Sequence, residues 1–339
     1  MHTETLDPWE LIDELCTHEP IADLLRKAKS MAKNDVLIGG TKQEAISSLR
    51  RAVDSGFVNI DEIWNLLRRC EENGNQHIFF YRLAKGVGVQ VGQPAEKVGS
   101  ALFGKTWTSM FPKFNIQHEG LVWSDFRPTT VGWIGKLYGW HHSRKLVKKY
   151  FKDNGVSKSE ASGRIEIEEY SHQRTRQVCL AYWQNGLLQL RIPRNSSRAV
   201  IRNQLKFVWD RLAVAGLKPN MFHPVDFLPT KRRLLDESIG GSKAFRAHAV
   251  QCQDDDCTIE FRPSTEGDVL SSAAKHALLN SLSDTDCRDL VIRVFPVEDI
   301  LPKDLLVQLA WQDGHNELVI AAGTTPEAID YVTGTILQT

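Results

Sequence analysis

Residues 176–193 read Arg-Gln-Val-Cys-Leu-Ala-Tyr-Trp-Gln-Asn-Gly-Leu-Leu-Gln-Leu-Arg-Ile-Pro. Two apolar runs, 176–183 and 187–193, flank Gln184-Asn185-Gly186. Asn-Gly supplies the positive φ angles of a tight type I′ turn, so the runs are expected to be the two strands of a hairpin. Just upstream, RIEIEEY (164–170) alternates apolar and charged residues and reads as a further strand. Just downstream, Ser196-Ser197 caps a helix expected to run to about Leu212. Val200, Ile201, Leu205, Val208, Trp209 and Leu212 fall on its inner face, with Arg198, Arg202, Lys206 and Arg211 outside. The unit is strand, strand, helix.

Toward the C-terminus a second cycle follows. AHAVQC (247–252), TIEFRP (258–263) and DLVIRVFP (289–296) read as strands, with a helix over Ser264–Ser281. DLLVQLAW and NELVIAAG read as two strands or a helix and a strand, and TPEAIDYVTGTIL as a closing helix. The fold class is therefore α+β: a small N-terminal helical bundle, then a two-layer body, for which duplication of the strand-strand-helix unit is one reading. No exact sequence repeat accompanies the duplication.

The head spans residues 1–85. Asp7-Pro8-Trp9-Glu10 is a helix start, Pro20 opens a second helix, Thr41-Lys42-Gln43-Glu44 is a capping box, and Asn59 begins another helix toward Cys70. His77 to Leu83 is short and aromatic, a strand or the last piece of the bundle. Four or five short helices of this size fit a protein-interaction module or a DNA-binding helical domain, and an interaction domain is expected. The remaining divisions are an aromatic-rich basic segment (86–163), a basic α+β domain (164–248) and an acidic α+β domain packed on it (249–339).

The formal charge is zero, but it is sorted along the chain. Residues 1–85 hold 11 Lys/Arg against 14 Asp/Glu, residues 86–248 hold 26 against 12, and residues 249–339 hold 5 against 16. A basic middle between acidic flanks points to nucleic acid, or to an acidic end lying on the basic middle of the same or another copy. Within 136–152, Arg144, Lys148 and Lys152 form one helical row and Lys145 and Lys149 the next, with Leu146, Val147 and Tyr150 facing inward. An amphipathic basic helix is expected there. The candidate phosphate-contacting residues are Arg144, Lys145, Lys148, Lys149, Lys152, Arg191, Arg194, Arg198, Arg202, Lys206, Lys231, Arg232 and Arg233. The two basic helices are expected to line one face.

Other classes find less support. The six cysteines are too scattered for a disulfide framework. Cys252 and Cys257 lack a second ligand pair, so a turn between two strands is expected rather than a zinc knuckle. Gly99-Ser-Ala-Leu-Phe-Gly104-Lys105-Thr106 matches the phosphate-loop pattern, but a helix from Pro94 to about Phe103 accounts for the same residues. Glu166, Glu168 or Asp226 with Lys231 would be the pieces of a metal-dependent nuclease. No apolar run is long enough for a membrane span, and the acidic N-terminus lacks a secretory signal, so an intracellular location is expected.

The helical head ending in an aromatic piece, followed by the hairpin and helix of 176–212, resembles the order of elements in the centromere protein N family. That resemblance implies a helical head and an α+β body that touches chromatin. The function expected is non-catalytic nucleic-acid binding, DNA or RNA, with a protein partner on residues 1–85, possible homo-oligomerisation, and no cofactor or metal. The alternatives are a metal-dependent nuclease or nucleotide-dependent enzyme, and a structural adaptor.

Overall fold

The hairpin forms as the turn chemistry dictates: Gln184 pairs with Leu187 across a two-residue loop, and Gly186 sits at φ +80°. The computed structural model describes residues 7–31, 36–73, 75–85, 95–103, 121–153, 164–184, 186–194, 198–253, 258–262, 286–312, 315–320 and 324–337. Its helices are α1 (Pro8–Leu15), α2 (His18–Met31), α3 (Lys42–Asp54), α4 (Ile60–Glu72), α5 (Ala95–Phe103), α6 (Arg198–Val214), α7 (Leu228–Ile239) and α8 (Pro326–Leu337). Its strands are β1 (Gln76–Leu83), β2 (Val122–Thr129), β3 (Gly132–Asp153), β4 (Arg164–Gln184), β5 (Leu187–Pro193), β6 (Phe222–Pro224), β7 (Phe245–Gln253), β8 (Thr258–Phe261), β9 (Asp286–Val294), β10 (Leu305–Gln312) and β11 (His315–Ile320). The protein is α+β, a helical head followed by a large antiparallel sheet.

The head folds as its caps specify. Asp7 accepts from the Trp9 N–H, and Thr41–Glu44 and Asn59–Glu62 both close capping boxes. Leu11, Ile21, Leu25, Leu49, Ile63 and Leu67 fill a core of its own. The aromatic piece after it is β1, at the centre of the sheet order β2-β3-β4-β5-β1-β11-β10-β9-β7-β8, with β6 also paired to β1.

Alternate residues of β1 divide the body into two layers, because successive strand side chains point to opposite faces. Phe79 and Tyr81 join Leu188, Leu190 and the inner face of α6, as the spacing of Ile201, Leu205, Val208 and Leu212 predicts. Ile78 and Phe80 join β7, β9, β10 and β11 under α7 and α8. Thus β4-β5-α6 and β10-β11-α8 are two strand-strand-helix units, on either side of β1 and covered on opposite faces. The second falls one hairpin later than the cycle read at 247–281; residues 263–285, including the helix expected there, lie outside the described residues. The 304–323 segment resolves into two strands, and β7 and β8 form the hairpin expected around Asp254–Asp256.

The basic helix expected over 136–152 is not formed. That stretch belongs to β3, and 164–170 and 176–183 merge into the single strand β4, paired with it from Gly132↔Gln184 to Asp153↔Arg164 with one register shift between Leu146 and Lys148. Two physical reasons favour the strand. A helix would stack like charges at i and i+4, which is unfavourable, whereas the pairing sets Lys148 opposite Glu169 and Lys149 opposite Glu168. Gly139 would also weaken a helix. Val147, expected inside, is 63% exposed.

The start of this long hairpin is sterically fixed. A Cβ built on Gly132 would lie 1.8 Å from the Trp183 carbonyl oxygen. Gly132→Ala is expected to cost about 1–3 kcal/mol through overpacking, measured by urea unfolding. Among the described residues no helix is long and apolar enough to cross a membrane.

Candidate nucleic-acid interface

β2 accompanies β3 only as far as Val122↔Tyr138, and β5 accompanies β4 only from Leu180 onward. Among the described residues, Gly139–Asp153 and Arg164–Gln177 therefore pair only with each other. This is a two-stranded ribbon of about 50 Å at the usual strand rise. Its root is marked by Tyr138 and Trp140, packed edge-on with centroids 6.0 Å apart.

Charge is unevenly placed along the ribbon. In the half nearest the sheet, consecutive rows are Trp140↔Arg176, His141↔Thr175, His142↔Arg174, Ser143↔Gln173, Arg144↔His172 and Lys145↔Ser171. That half carries Arg144, Lys145, Arg174 and Arg176, three histidines and no acid. The distal half carries Lys148, Lys149, Lys152 and Arg164 against Glu166, Glu168, Glu169 and Asp153, so it is balanced, and the register sets Lys148 opposite Glu169, Lys149 opposite Glu168 and Arg164 opposite Asp153. Lys148 and Glu169 are exposed there.

The other predicted contact residues separate into two groups. Arg202 and Lys206 are exposed on the outer face of α6, and Arg194 and Arg232 are exposed as well. Arg191, Lys231, Arg198 and Arg233 are taken up by the fold, which corrects their reading as surface contacts. Arg191 is 4% exposed, donates to Gln189 Oε1 at 2.9 Å, stacks its guanidinium over Tyr182 and faces Asp330 at 3.7 Å. Burial pushes its pKa down, against the pull of Asp330. Lys231 is 1% exposed and donates to the Arg288 carbonyl at 2.6 Å and the Cys287 carbonyl at 3.3 Å. Arg233 caps the end of α8 through the carbonyls of Thr335 and Ile336. Arg198 pairs with Glu317 at 2.5 Å. The face shared by two basic helices is thus replaced by a ribbon and one helix, α6. Residues 231–233 lie in the other half of the body, on α7.

Part of the basic middle is neutralised by the acidic end. Glu317, 1% exposed on β11, bonds both Arg198 and His77. Burial opposes its ionisation, but the His77 hydrogen bond and the Arg198 charge hold it below its ordinary value of 4.5. A second buried set ties the head to the sheet. Lys136, 1% exposed, pairs with Glu71 and with Glu72 at 3.5 Å, and Arg127 joins Glu72 to Asp125. Burial opposes ionisation of Glu72 as well, but Lys136, Arg127 and Arg68 keep it lowered. Nothing in the spacing of Glu71, Glu72 and Lys136 announces this set, which only the docking of α4 on β3 assembles.

Both glutamates have depressed folded values, so the stability they confer is present above 4.5 and is lost as pH falls through those lower values. The melting temperature is expected to be level from pH 7 to about 5 and to fall below that. Glu317→Gln should melt lower at pH 7 and lose less on acidification. An equal acid loss in wild type and variant would contradict this assignment.

The described residues of the phosphate-loop pattern and of the nuclease set lie on separate elements. Gly99 lies within α5, which fits the helix expected from Pro94 to about Phe103, and Gly104, Lys105 and Thr106 lie outside the described residues. Glu166 and Glu168 are on the ribbon, whereas Asp226 accepts from the Leu228 N–H at the start of α7. Comparison with known protein families and with curated proteins finds no match.

Proposed function

We propose that this protein binds nucleic acid without catalysis, through the β3–β4 ribbon and the exposed cations of α6, with the helical head as the site of a protein partner. The observation that carries the reading is the ribbon half with four cations and no acid. Phosphate contact needs several positive groups on one element rather than a sequence motif. A two-stranded antiparallel ribbon is also an element that fits a nucleic-acid groove, the major groove of B-DNA being about 12 Å wide. A free-standing hairpin is marginal in water, so a ribbon of this length gains from a partner along it. No cofactor is invoked.

The test is fluorescence anisotropy with labelled duplex DNA and single-stranded RNA between 50 and 200 mM salt. Binding that falls steeply with salt supports the reading, and no binding to either at 50 mM overturns it. Arg202→Glu with Lys206→Glu is expected to weaken binding without lowering the melting temperature, because both residues are exposed. Arg198 is unsuited to this test, since its reversal would strand the buried Glu317.

A further inference from the structure

Two pairs of cysteines are brought together by the fold, and they differ in reach. Cys252 lies opposite Cys287 in the β7–β9 register, and neither is more than 3% exposed. Burial pushes the Cys287 thiol up to about 12, so it carries almost no thiolate at neutral pH. Cys16 and Cys70 are placed otherwise. Cys16 ends α1 as its C-cap, buried in the head core, with its N–H on the Ile12 carbonyl at 3.0 Å. Cys70 stands in the last turns of α4 and is half-buried. Cys70 packs against the same core cluster that holds Cys16, and the two thiols lie within interacting reach although 54 residues apart in the chain. Cys70 also lines a cavity of about 160 Å³, between α4 and the sheet, with Leu15, Glu71, Gln76 and Arg191.

We propose that Cys16 and Cys70 form a dithiol that a hydroperoxide oxidises to a disulfide joining α1 to α4. The division of roles follows from their surroundings. The neighbouring Cys16 thiol favours the Cys70 thiolate over the effect of burial, and Arg69 adds to it, so Cys70 sits below its ordinary value. The same contact, with burial, holds Cys16 up as the thiol. Cys70 is the partner with access to solvent through the cavity. Its thiolate attacks the distal peroxide oxygen, the O–O bond breaks, and the leaving alkoxide or hydroxide takes a proton from water. This leaves a sulfenic acid on Cys70. The Cys16 sulfur then attacks that sulfur; its proton leaves with the displaced hydroxide as water. The two thiols lose two electrons and the peroxide gains them. The link would tether the end of α1 to the turn of α4 that bears Glu71 and Glu72, the acids that hold Lys136.

The experiment treats the full folded chain with hydrogen peroxide, blocks remaining thiols with N-ethylmaleimide, and maps peptides by mass spectrometry. A Cys16–Cys70 link that forms first and is reversed by dithiothreitol is expected. Cys16→Ser should stop at the sulfenic acid on Cys70, trapped by dimedone, and Cys70→Ser should leave Cys16 alkylatable at least about tenfold longer. If Cys16→Ser does not fold, Cys16→Ala gives the same readout. A Cys252–Cys287 link forming first, or Cys70 passing to the sulfinic acid in wild type without linking, overturns the proposal.

Discussion

Lys136→Met is expected to lower the stability of the protein by about 3–5 kcal/mol, the range for removing one partner of a buried ion pair. The ammonium lies between the carboxylates of Glu71 and Glu72 at the junction of head and sheet. Methionine keeps the volume but leaves one buried carboxylate without its nearest cation, while Arg127 still serves Glu72. Uncompensated buried charge is more costly than the absence of the whole pair. Lys136→Met combined with Glu71→Gln should therefore recover part of the loss. Urea unfolding of the single and double variants reads both effects, and additive losses would show that the carboxylate and the ammonium are not coupled. Because the pair spans α4 and β3, the single variant should also loosen the head first, visible as earlier hydrogen exchange in α1–α4 than in β1.

The second large effect concerns binding. Arg174→Glu with Arg176→Glu reverses two of the four cations in the acid-free half of the ribbon. If each meets a phosphate, affinity for the preferred nucleic acid should drop on the order of 100-fold near 0.1 M salt, and the slope of log K against log salt should flatten by about 2. Lys148→Glu with Lys149→Glu, in the half where lysines stand opposite Glu169 and Glu168, should do markedly less. Equal losses from the two halves would mean that overall charge, rather than the ribbon's layout, carries binding. A loss of melting temperature in the first variant would point instead to a structural role for the arginines.

Local signals were sufficient where one residue type has one job. Asp7, Thr41 and Asn59 cap the helices read from them, Gly186 turns the hairpin at positive φ, and Ile201, Leu205, Val208 and Leu212 pack inward as a 3.6-residue period requires. The helical reading of 136–152 failed for a reason that periodicity does not register. Basic residues at i, i+1 and i+4 fit a helix stripe and a strand ladder alike, and the choice was made by the acids of β4, Glu168 and Glu169, which lie 19 and 21 residues from the lysines they face. The candidate contact residues divided for a similar reason. Arg191, Lys231 and Arg198 look like Arg194, Arg232 and Arg202 as letters, but the first three are met by Asp330, by the carbonyls of 287 and 288, and by Glu317.

The sequence by itself determined the α+β class, the helical head, the 176–212 hairpin and helix, the closing strands and helix, and the sorting of charge along the chain. These are properties of neighbouring residues, written in caps, turns and short-range periods. Only the tertiary structure decided that β1 is the central strand, that the basic segment is one arm of a ribbon, which cations remain at the surface, and that Cys16 meets Cys70. Each of those depends on partners far apart in the chain, and a long-range pairing leaves no mark on the spacing of either partner alone.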